Sequence, residues 1–403
     1  MEPAKEPIWT KDFLSISFVN MSVFITFYSL MTTLPIFVIY QLDGTEAQGG
    51  LVVTIMLLSA ILIRPFSGNI IQRFGKRKIL IVSTIAFAVT SLGYMMFDQF
   101  MSLMVLRFIH GLSFGLMTTV SSAIAADIVP NERKGEGLGY FTMFMNVAVV
   151  IGPFVGLTLI QMASFQLLFI VLNIVVLISV ICAFLVKIPN TGDQNVKADE
   201  KRKVSIHDFF EVKVLPIALI SALIAFSYSG VISFISVYAK EMGLEKVSGY
   251  FFLVFSITML ATRPYLGRLF DRRGPKIVIL PCLLIFAGGY LLLSISHSPI
   301  LFLVSAGIIG VGYGSLLPFL LSMSVQSVER NRNGHATATF FTLFDIGIAA
   351  GSFTLGIVVH YTGFSNLYIY LAGIIIMTTV IFFLYHNHIE SIKNEPLSTT
   401  RSL

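Results

Sequence analysis

Along this chain the apolar residues gather into about twelve long blocks divided by short polar ones. The first six run approximately Phe13 to Tyr40, Gln48 to Ile71, Ile79 to Phe97, Met101 to Ala125, Leu138 to Gln161 and Phe165 to Val186. The second six run Leu215 to Ala239, Ser248 to Phe270, Ile277 to Ser296, Leu301 to Met323, Ala336 to His360 and Leu367 to Tyr385. Most are close to the roughly 20 residues that a helix needs to cross a hydrocarbon core. The pattern predicts an all-α membrane protein with twelve transmembrane helices. Gly307, Gly310, Gly312 and Gly314 soften the tenth block, which membrane helices tolerate because neighbouring helices re-satisfy the backbone. The first block is too long for a cleavable signal and no small-residue cleavage pattern follows it, so it is expected to stay as the first helix.

The blocks fall into two sets of six because the chain repeats itself. Arg64-Pro65-Phe66-Ser67-Gly68, running on to Gln72-Arg73-Phe74-Gly75-Lys76, returns 199 residues later as Arg263-Pro264-Tyr265-Leu266-Gly267 and Asp271-Arg272-Arg273-Gly274-Pro275-Lys276. The same offset pairs Gly111 with Gly310, Gly115 with Gly314, Arg133 with Arg332, Gly135 with Gly334, Phe141 with Phe340 and Gly152 with Gly351. One register held over so long a stretch implies two similar units. The expected division is an N-terminal six-helix bundle over 1–186, a cytoplasmic linker over 187–214, a C-terminal six-helix bundle over 215–388 and a cytoplasmic tail over 389–403. The linker is polar and of mixed charge, with no apolar face to bury. Within it, His207-Asp208-Phe209-Phe210 suits a short amphipathic helix on the membrane surface.

Composition agrees: 56% of the 403 residues are hydrophobic and 12% are charged, about half the charged share of a soluble domain. With both termini placed in the cytoplasm, two basic residues fall outside (Lys240 and Lys246) and four fall within or at the ends of helices (Arg64, Arg107, Arg263 and Arg268). All the rest of the 27 Lys and Arg lie on the inner side, as the positive-inside rule requires. The net charge of +6 is spread over these inner loops rather than gathered on one face, which argues against a nucleic-acid partner. Cys182 and Cys282 both fall inside predicted helices, where packing is the expected role. No Gly-rich phosphate loop ending in Lys-Ser or Lys-Thr is present, which argues against ATP hydrolysis, and nothing points to an enzyme, a cofactor or a metal site.

At this point the motifs suggest a family. Gly68-x-x-x-Gln72-Arg73-x-Gly75-Lys76-Arg77-Lys78, between the second and third blocks, resembles a loop motif of the major facilitator superfamily, glycine-x-x-x-aspartate-arginine-x-glycine. The second copy, at Gly267, Asp271, Arg272 and Gly274, matches it better, since Gln72 stands where aspartate is expected in the first. Leu103-x-x-x-Arg107-x-x-His110-Gly111 is similar to the superfamily's fourth-helix motif. Gly152-Pro153-x-x-Gly156 resembles the fifth-helix motif of its drug/proton antiporters, with Ala148 in place of one glycine, and Leu34-Pro35 adds to the likeness. The resemblance spans the whole chain. It implies two six-helix pseudo-repeats around a central cavity, alternating access, and efflux of a small molecule driven by the proton gradient, with no other cofactor. It also implies a multi-pass protein of a bacterial plasma membrane, in which membrane lipids are partners and a monomer holds the entire pathway.

Several residues become candidates for this work. Arg73 and Arg272 with Gly75 and Gly274 make tight basic turns that can serve as cytoplasmic gating loops, helped by a carboxylate at a neighbouring helix N-terminus. Gly152, Pro153 and Gly156 suit close packing and a bend in the fifth helix. A charge at mid-bilayer costs at least about 2.5 to 3.5 kcal/mol, so ionisable residues inside the blocks carry functional weight. Asp345, flanked by Phe344 and Ile346 and paired by the repeat with Asn146, is the main proton-carrier candidate. Arg107 resembles the family arginine implicated in proton coupling, and His110 lies on the same helical face, three residues on, where it can relay a proton or bind an anionic group. Asp127 and Glu132 read as a solvated network beside Arg133, and Arg64 and Arg263 as snorkelling side chains. Cavity-lining candidates are Tyr28, Met117, Asn146, Phe226, Tyr228, Phe234 and Phe319, drawn from a chain with 36 Phe, 14 Tyr and 16 Met. The first block holds Asn20, Ser22, Thr26 and Tyr28 but no carboxylate, which many drug-exporting relatives carry there. The expected function is proton-coupled antiport of a small amphipathic organic compound. A proton-coupled importer of a sugar or metabolite, a lipid flippase and a membrane sensor are the alternatives.

Overall fold

The computed structural model describes residues 7–96, 99–130, 133–188, 211–329 and 333–394, so most of the expected linker, including His207 to Phe210, the end of the tail and Glu132 lie outside the described residues. The described residues form helices and no strands. These are α1 (Lys11–Gln41), α2 (Glu46–Phe74), α3 (Lys76–Gly93), α4 (Phe100–Ile128), α5 (Lys134–Met162), α6 (Phe165–Leu185), α7 (Leu215–Glu241), α8 (Glu245–Arg273), α9 (Pro275–Ser294), α10 (Pro299–Tyr313), α11 (Leu316–Gln326) and α12 (Asn333–Asn394).

Local chemistry sets many of these boundaries. Thr10 and Ser164 accept hydrogen bonds from backbone amides of the first turns of α1 and α6, and Thr45 forms a reciprocal capping box with Gln48 at the start of α2. Gly75 and Gly274 both adopt φ +83°, the left-handed backbone that lets α2 turn into α3 and α8 turn into α9. The duplicated sequence thus makes the same turn twice.

Among the described residues ten segments are long and apolar enough to cross a membrane. The twelve expected blocks differ from these ten in two places. The 18-residue α3 opens on the basic run Lys76-Arg77-Lys78, which lowers its apolar length. The eleventh and twelfth blocks join in α12, whose 62 residues would span about 93 Å if straight at roughly 1.5 Å per residue. That helix breaks at Gly363, where φ is 73° and ψ is 166°. The tenth block is interrupted at Gly314-Ser315, between α10 and α11, at the end of its glycine series. Arg263 donates from Nε to the Gly314 carbonyl there at 3.3 Å, which is more specific than the snorkelling expected of it.

The outward faces are apolar. On α6, Ile170, Ile174, Leu177 and Ile181 are exposed at helical spacing, while Leu168, Leu172, Val176 and Ala183 are buried on the opposite face. So long an exposed apolar stripe is the surface a lipid-facing helix presents.

The chain divides into two compact units. The first comprises Met1–Phe209, Tyr228–Leu253 and Ile348–Gly363; the second comprises Phe210–Ser227, Val254–Gly347 and Phe364–Leu403. In the first, α1 packs on α5 and α6, α2 on α4, and α3 on α4 and α6. In the second, α9 packs on α10. The repeat is visible inside each unit. A methyl added to Gly111 of α4 would collide with the Met56 carbonyl and the Ser59 hydroxyl of α2. Its counterpart Gly310 of α10 would collide with the Phe255 carbonyl and the Thr258 hydroxyl of α8. Both helix pairs touch backbone to backbone through a glycine, as small-residue interfaces in membranes do.

Candidate functional site

Three buried polar side chains meet inside the first unit. Arg107 and His110 of α4 are both 0% exposed, and Tyr94, the residue that closes α3, is 4% exposed. Arg107 donates from Nε to the Val52 carbonyl of α2 at 3.0 Å and from Nη1 to the Tyr94 hydroxyl at 3.4 Å. The Tyr94 hydroxyl lies 2.9 Å from His110 Nδ1. Among the described residues Arg107 Nη2 and His110 Nε2 have no hydrogen-bond partner. Aromatic rings close the remaining space: Phe87 stands 4.0 Å from the imidazole centroid, and Phe169 of α6 stacks on Tyr94 at 5.7 Å. Among the described residues Arg107 pairs with no carboxylate.

Such a guanidinium is costly. Removing a charge from water carries an effective penalty of several kcal/mol, offset here only by a carbonyl and a hydroxyl. The repeat shows that the fold does not need it. At the same offset in the second unit stand Ala306, Ile309 and Leu293 in place of Arg107, His110 and Tyr94, each 0% exposed. One copy of this helix pair is built with an apolar core and the other with a charge.

Asp345 lies on α12 and belongs to the second unit, half-buried rather than sealed, while its repeat partner Asn146 on α5 of the first unit is half-buried too. Of the expected cavity residues, Tyr28, Met117, Tyr228 and Phe234 belong to the first unit. Met117 and Phe234 are wholly buried, and Tyr28 lies within electrostatic reach of Tyr228. Tyr28 also packs on Phe27 at 5.0 Å and Phe24 at 6.1 Å, beside a stacked Phe27–Phe114 pair at 4.6 Å. Phe226 and Phe319 belong to the second unit, where Phe319 stacks on Phe270 at 4.4 Å.

The two basic turns are exposed. The Arg73 guanidinium lies over the Phe74 ring at 5.4 Å, and Gln72, Asp271 and Arg272 are open to solvent, while Gly68 and Gly267 have open space around them. Nearby, Lys76 pairs with Asp127 from the end of α4. Gly152 and Gly156, which flank Pro153 on α5, lie against α1 at Ser29, whose hydroxyl donates to the Gly152 carbonyl at 2.5 Å.

At the end of the first unit where α1 stops and α2 begins, four helix pairs close tightly. A methyl at Gly50 of α2 would collide with the Ser352 carbonyl of α12, and Thr54 donates to the Ala349 carbonyl at 2.7 Å. Glu46 and His360 pair at 3.2 Å at the rim. Ser236 of α7 donates to the Thr32 carbonyl of α1 at 2.9 Å, and Lys240 lies 3.5 Å over the Tyr40 ring. Gln161 of α5 donates to Ser248 of α8 at 2.7 Å, and Ser233 and Ser352 share a hydrogen bond of 3.0 Å. A cavity of about 440 Å³ opens among Gln41, Gln161, Gln166, Lys240, Glu245 and Ser248.

Neither Tyr94 nor this seal was singled out by the sequence. For Tyr94 no local signal exists, since its partners come from other helices. For the seal the signal was the repeat itself. The 199-residue offset also pairs Glu46 with Glu245, Gly50 with Gly249 and Phe154 with Phe353. Gly50 packs against Phe353, and Gly249 packs against Phe154.

Comparison with known proteins agrees with this architecture. The profile of the Major Facilitator Superfamily matches residues 16–351 and 245–401. An uncharacterised transporter of this type from Methanocaldococcus jannaschii is 24% identical over 377 residues, covering 90% of this chain and 97% of its own length. The staphylopine export protein of Staphylococcus aureus is 25% identical over 373 residues, covering 89% and 93%. The quinolone resistance protein NorA of the same species is 29% identical over 137 residues, covering 34% of this chain and 35% of its own. Among solved structures, a POT family transporter in complex with a peptide conjugate superposes with a TM-score of 0.77 at 14% identity, covering 94% of this chain and 96% of its own. A bacterial homologue of the human lysosomal transporter Spinster, inward-facing and occupied, gives 0.76 at 13% identity, covering 95% and 98%. A profile that spans most of the chain, on an all-helical structure with ten membrane-length segments, shows that this protein belongs to the Major Facilitator Superfamily.

Proposed function

We propose that the protein is a proton-coupled exporter of a small amphipathic organic compound. The observation that carries the reading is the sealed Arg107–Tyr94–His110 network. A buried charge and a buried imidazole, absent from the apolar counterpart in the second repeat, are costs that transport of a proton accounts for. Export rather than import is supported by two relatives that are named for export or drug resistance. Aromatic residues around Tyr28, Phe27 and Phe114 suit an apolar or aromatic cargo better than a sugar.

On this reading α3 and the two arms of α12 each cross the membrane, which gives twelve crossings with both termini inside. The sealed end of the first unit then faces outside, and substrate enters from the cytoplasm. Asp345 carries the exchanged proton, and Arg107 with His110 sets when it can bind. The exposed turns at Gly75 and Gly274 gate the inner side. One elementary charge moved across 100 mV yields about 2.3 kcal/mol, which sustains roughly a fiftyfold gradient of substrate.

Everted membrane vesicles test this. A fluorescent cationic or neutral amphiphile should accumulate inside when respiration supplies a proton gradient, and the accumulation should collapse on adding a protonophore. Accumulation that follows ATP alone, or that runs only down the substrate gradient, would contradict it.

A further inference from the structure

The stretch Gly50 to Thr54 of α2 is held from two sides. On one side Arg107 holds the carbonyl of Val52, in the middle of the stretch. On the other, Gly50 and Thr54 meet Ser352 and Ala349 of α12 in the seal. Whatever moves Arg107 therefore acts on the same turn of helix that closes this end of the first unit.

The hydrogen bonds fix how His110 is held. A guanidinium only donates, so the Tyr94 oxygen accepts from Arg107 and its single hydrogen goes to His110 Nδ1. The neutral imidazole then carries its own hydrogen on Nε2. A proton arriving from water must bind at Nδ1. The Tyr94 hydroxyl has to turn its hydrogen away and accept from the new N–H. An imidazolium would then stand one helical turn from the guanidinium, both 0% exposed and with no carboxylate between them. Among the described residues Arg107 is the one charge set against His110, and Tyr94 is its titratable neighbour. Among the described residues, the other helices packed on α4, namely α1, α2 and α5, bring it no ionisable side chain.

We propose that His110, oriented by Tyr94, is the group whose protonation opens this seal, by displacing Arg107 from the Val52 carbonyl and so freeing the Gly50 to Thr54 turn from α12. Tyr94 is a positioning residue: it fixes the imidazole tautomer and keeps Nδ1 as the unprotonated nitrogen. The inference rests on the proton-coupled reading but makes a claim that is read without transport. It also explains why only one repeat carries the network. The seal contacts of Gly50 have a Val52–Arg107 contact behind them, whereas their counterparts at Gly249 do not.

The experiment is distance measurement by electron paramagnetic resonance. Spin labels at Gln41→Cys and Tyr361→Cys, both exposed at the sealed end, are introduced with Cys182→Ala and Cys282→Ala, and the full chain is studied in lipid nanodiscs without substrate. The expected result is one short distance at pH 8 and a second, longer population that grows only well into the acid range, at least tenfold more occupied at pH 4.5 than at pH 8. His110→Gln should keep the short distance at both pH values. Tyr94→Phe, which keeps the ring and its stack on Phe169, should move the midpoint of the transition. Arg107→Ala should show the long population already at pH 8, with Arg107→Lys as the variant that preserves charge and folding. His360→Gln, which removes the rim pair with Glu46, should leave the response in place. No pH response in the wild type, a wild-type response in His110→Gln, or a response lost in His360→Gln would each overturn the inference. If the distances respond as expected while proteoliposomes show no proton movement with any compound, the antiport reading fails and the seal mechanism stands.

Discussion

The glycine contacts between paired helices set the cost of a single added methyl group. At Gly111 an added methyl would overlap the Met56 carbonyl and Ser59, and at Gly310 it would overlap the Phe255 carbonyl and Thr258. Because the obstacle is backbone in both cases, α4 must back away from α2, and α10 from α8. Overpacking of this kind costs about 1 to 3 kcal/mol. Gly288, on the exposed face of α9, has open space around the same added atom. There the alanine gains up to about 1 kcal/mol of helix propensity. The two classes of substitution should thus differ by about 2 to 4 kcal/mol. With a shift of roughly 2 to 4 °C per kcal/mol for domains of this size, Gly111→Ala and Gly310→Ala should melt on the order of 5 to 15 °C below Gly288→Ala. The assay is thermal unfolding in detergent, followed by a thiol-reactive dye that reports exposure of buried Cys282. Equal melting of all three variants, or Gly288→Ala as the least stable, would refute the reading of these glycines as backbone contacts.

Further outcomes follow from other contacts. Ser233→Cys with Ser352→Cys, whose hydroxyls are 3.0 Å apart, should form a disulfide on oxidation that stops transport and is reversed by reductant; transport that continues in the cross-linked protein would exclude this end as a gate. Ser29→Ala removes the buried hydrogen bond to the Gly152 carbonyl and should cost about 0.5 to 1.5 kcal/mol in the same melting assay, against no change for Thr142→Ala on an exposed face. Gly75→Ala forces a side chain into φ +83° and should cost about 1 to 2 kcal/mol, and Gly274→Ala the same; an effect at one turn alone would break the equivalence of the repeats.

The fold was legible because a hydrocarbon core imposes a length on every crossing, and the duplicated loop supplied the register. What the apolar pattern could not give was the form of the break between the eleventh and twelfth blocks, which α12 makes at a single residue, Gly363, with φ 73°. In the candidate site, Arg107 and His110 were visible as ionisable residues three apart inside an apolar run. Tyr94 was not, because an aromatic residue at the end of a block carries no mark until α3 and α4 are packed. The seal at Gly50, Thr54 and Ser352 was hidden for a related reason. Small and hydroxyl residues in membrane helices report a close neighbour but not which one, and only the 199-residue register ties Gly50 and Phe353 to Gly249 and Phe154.

The most direct test of proton-coupled export is made in proteoliposomes that hold a pH dye in the lumen. Candidate amphipathic compounds are added to the wild type, Asp345→Asn and His110→Gln, each checked for folding by gel filtration. Proton movement that begins on addition of a compound in the wild type and is lost in Asp345→Asn is the predicted result. Compound flux with no accompanying proton movement in the wild type would contradict the account.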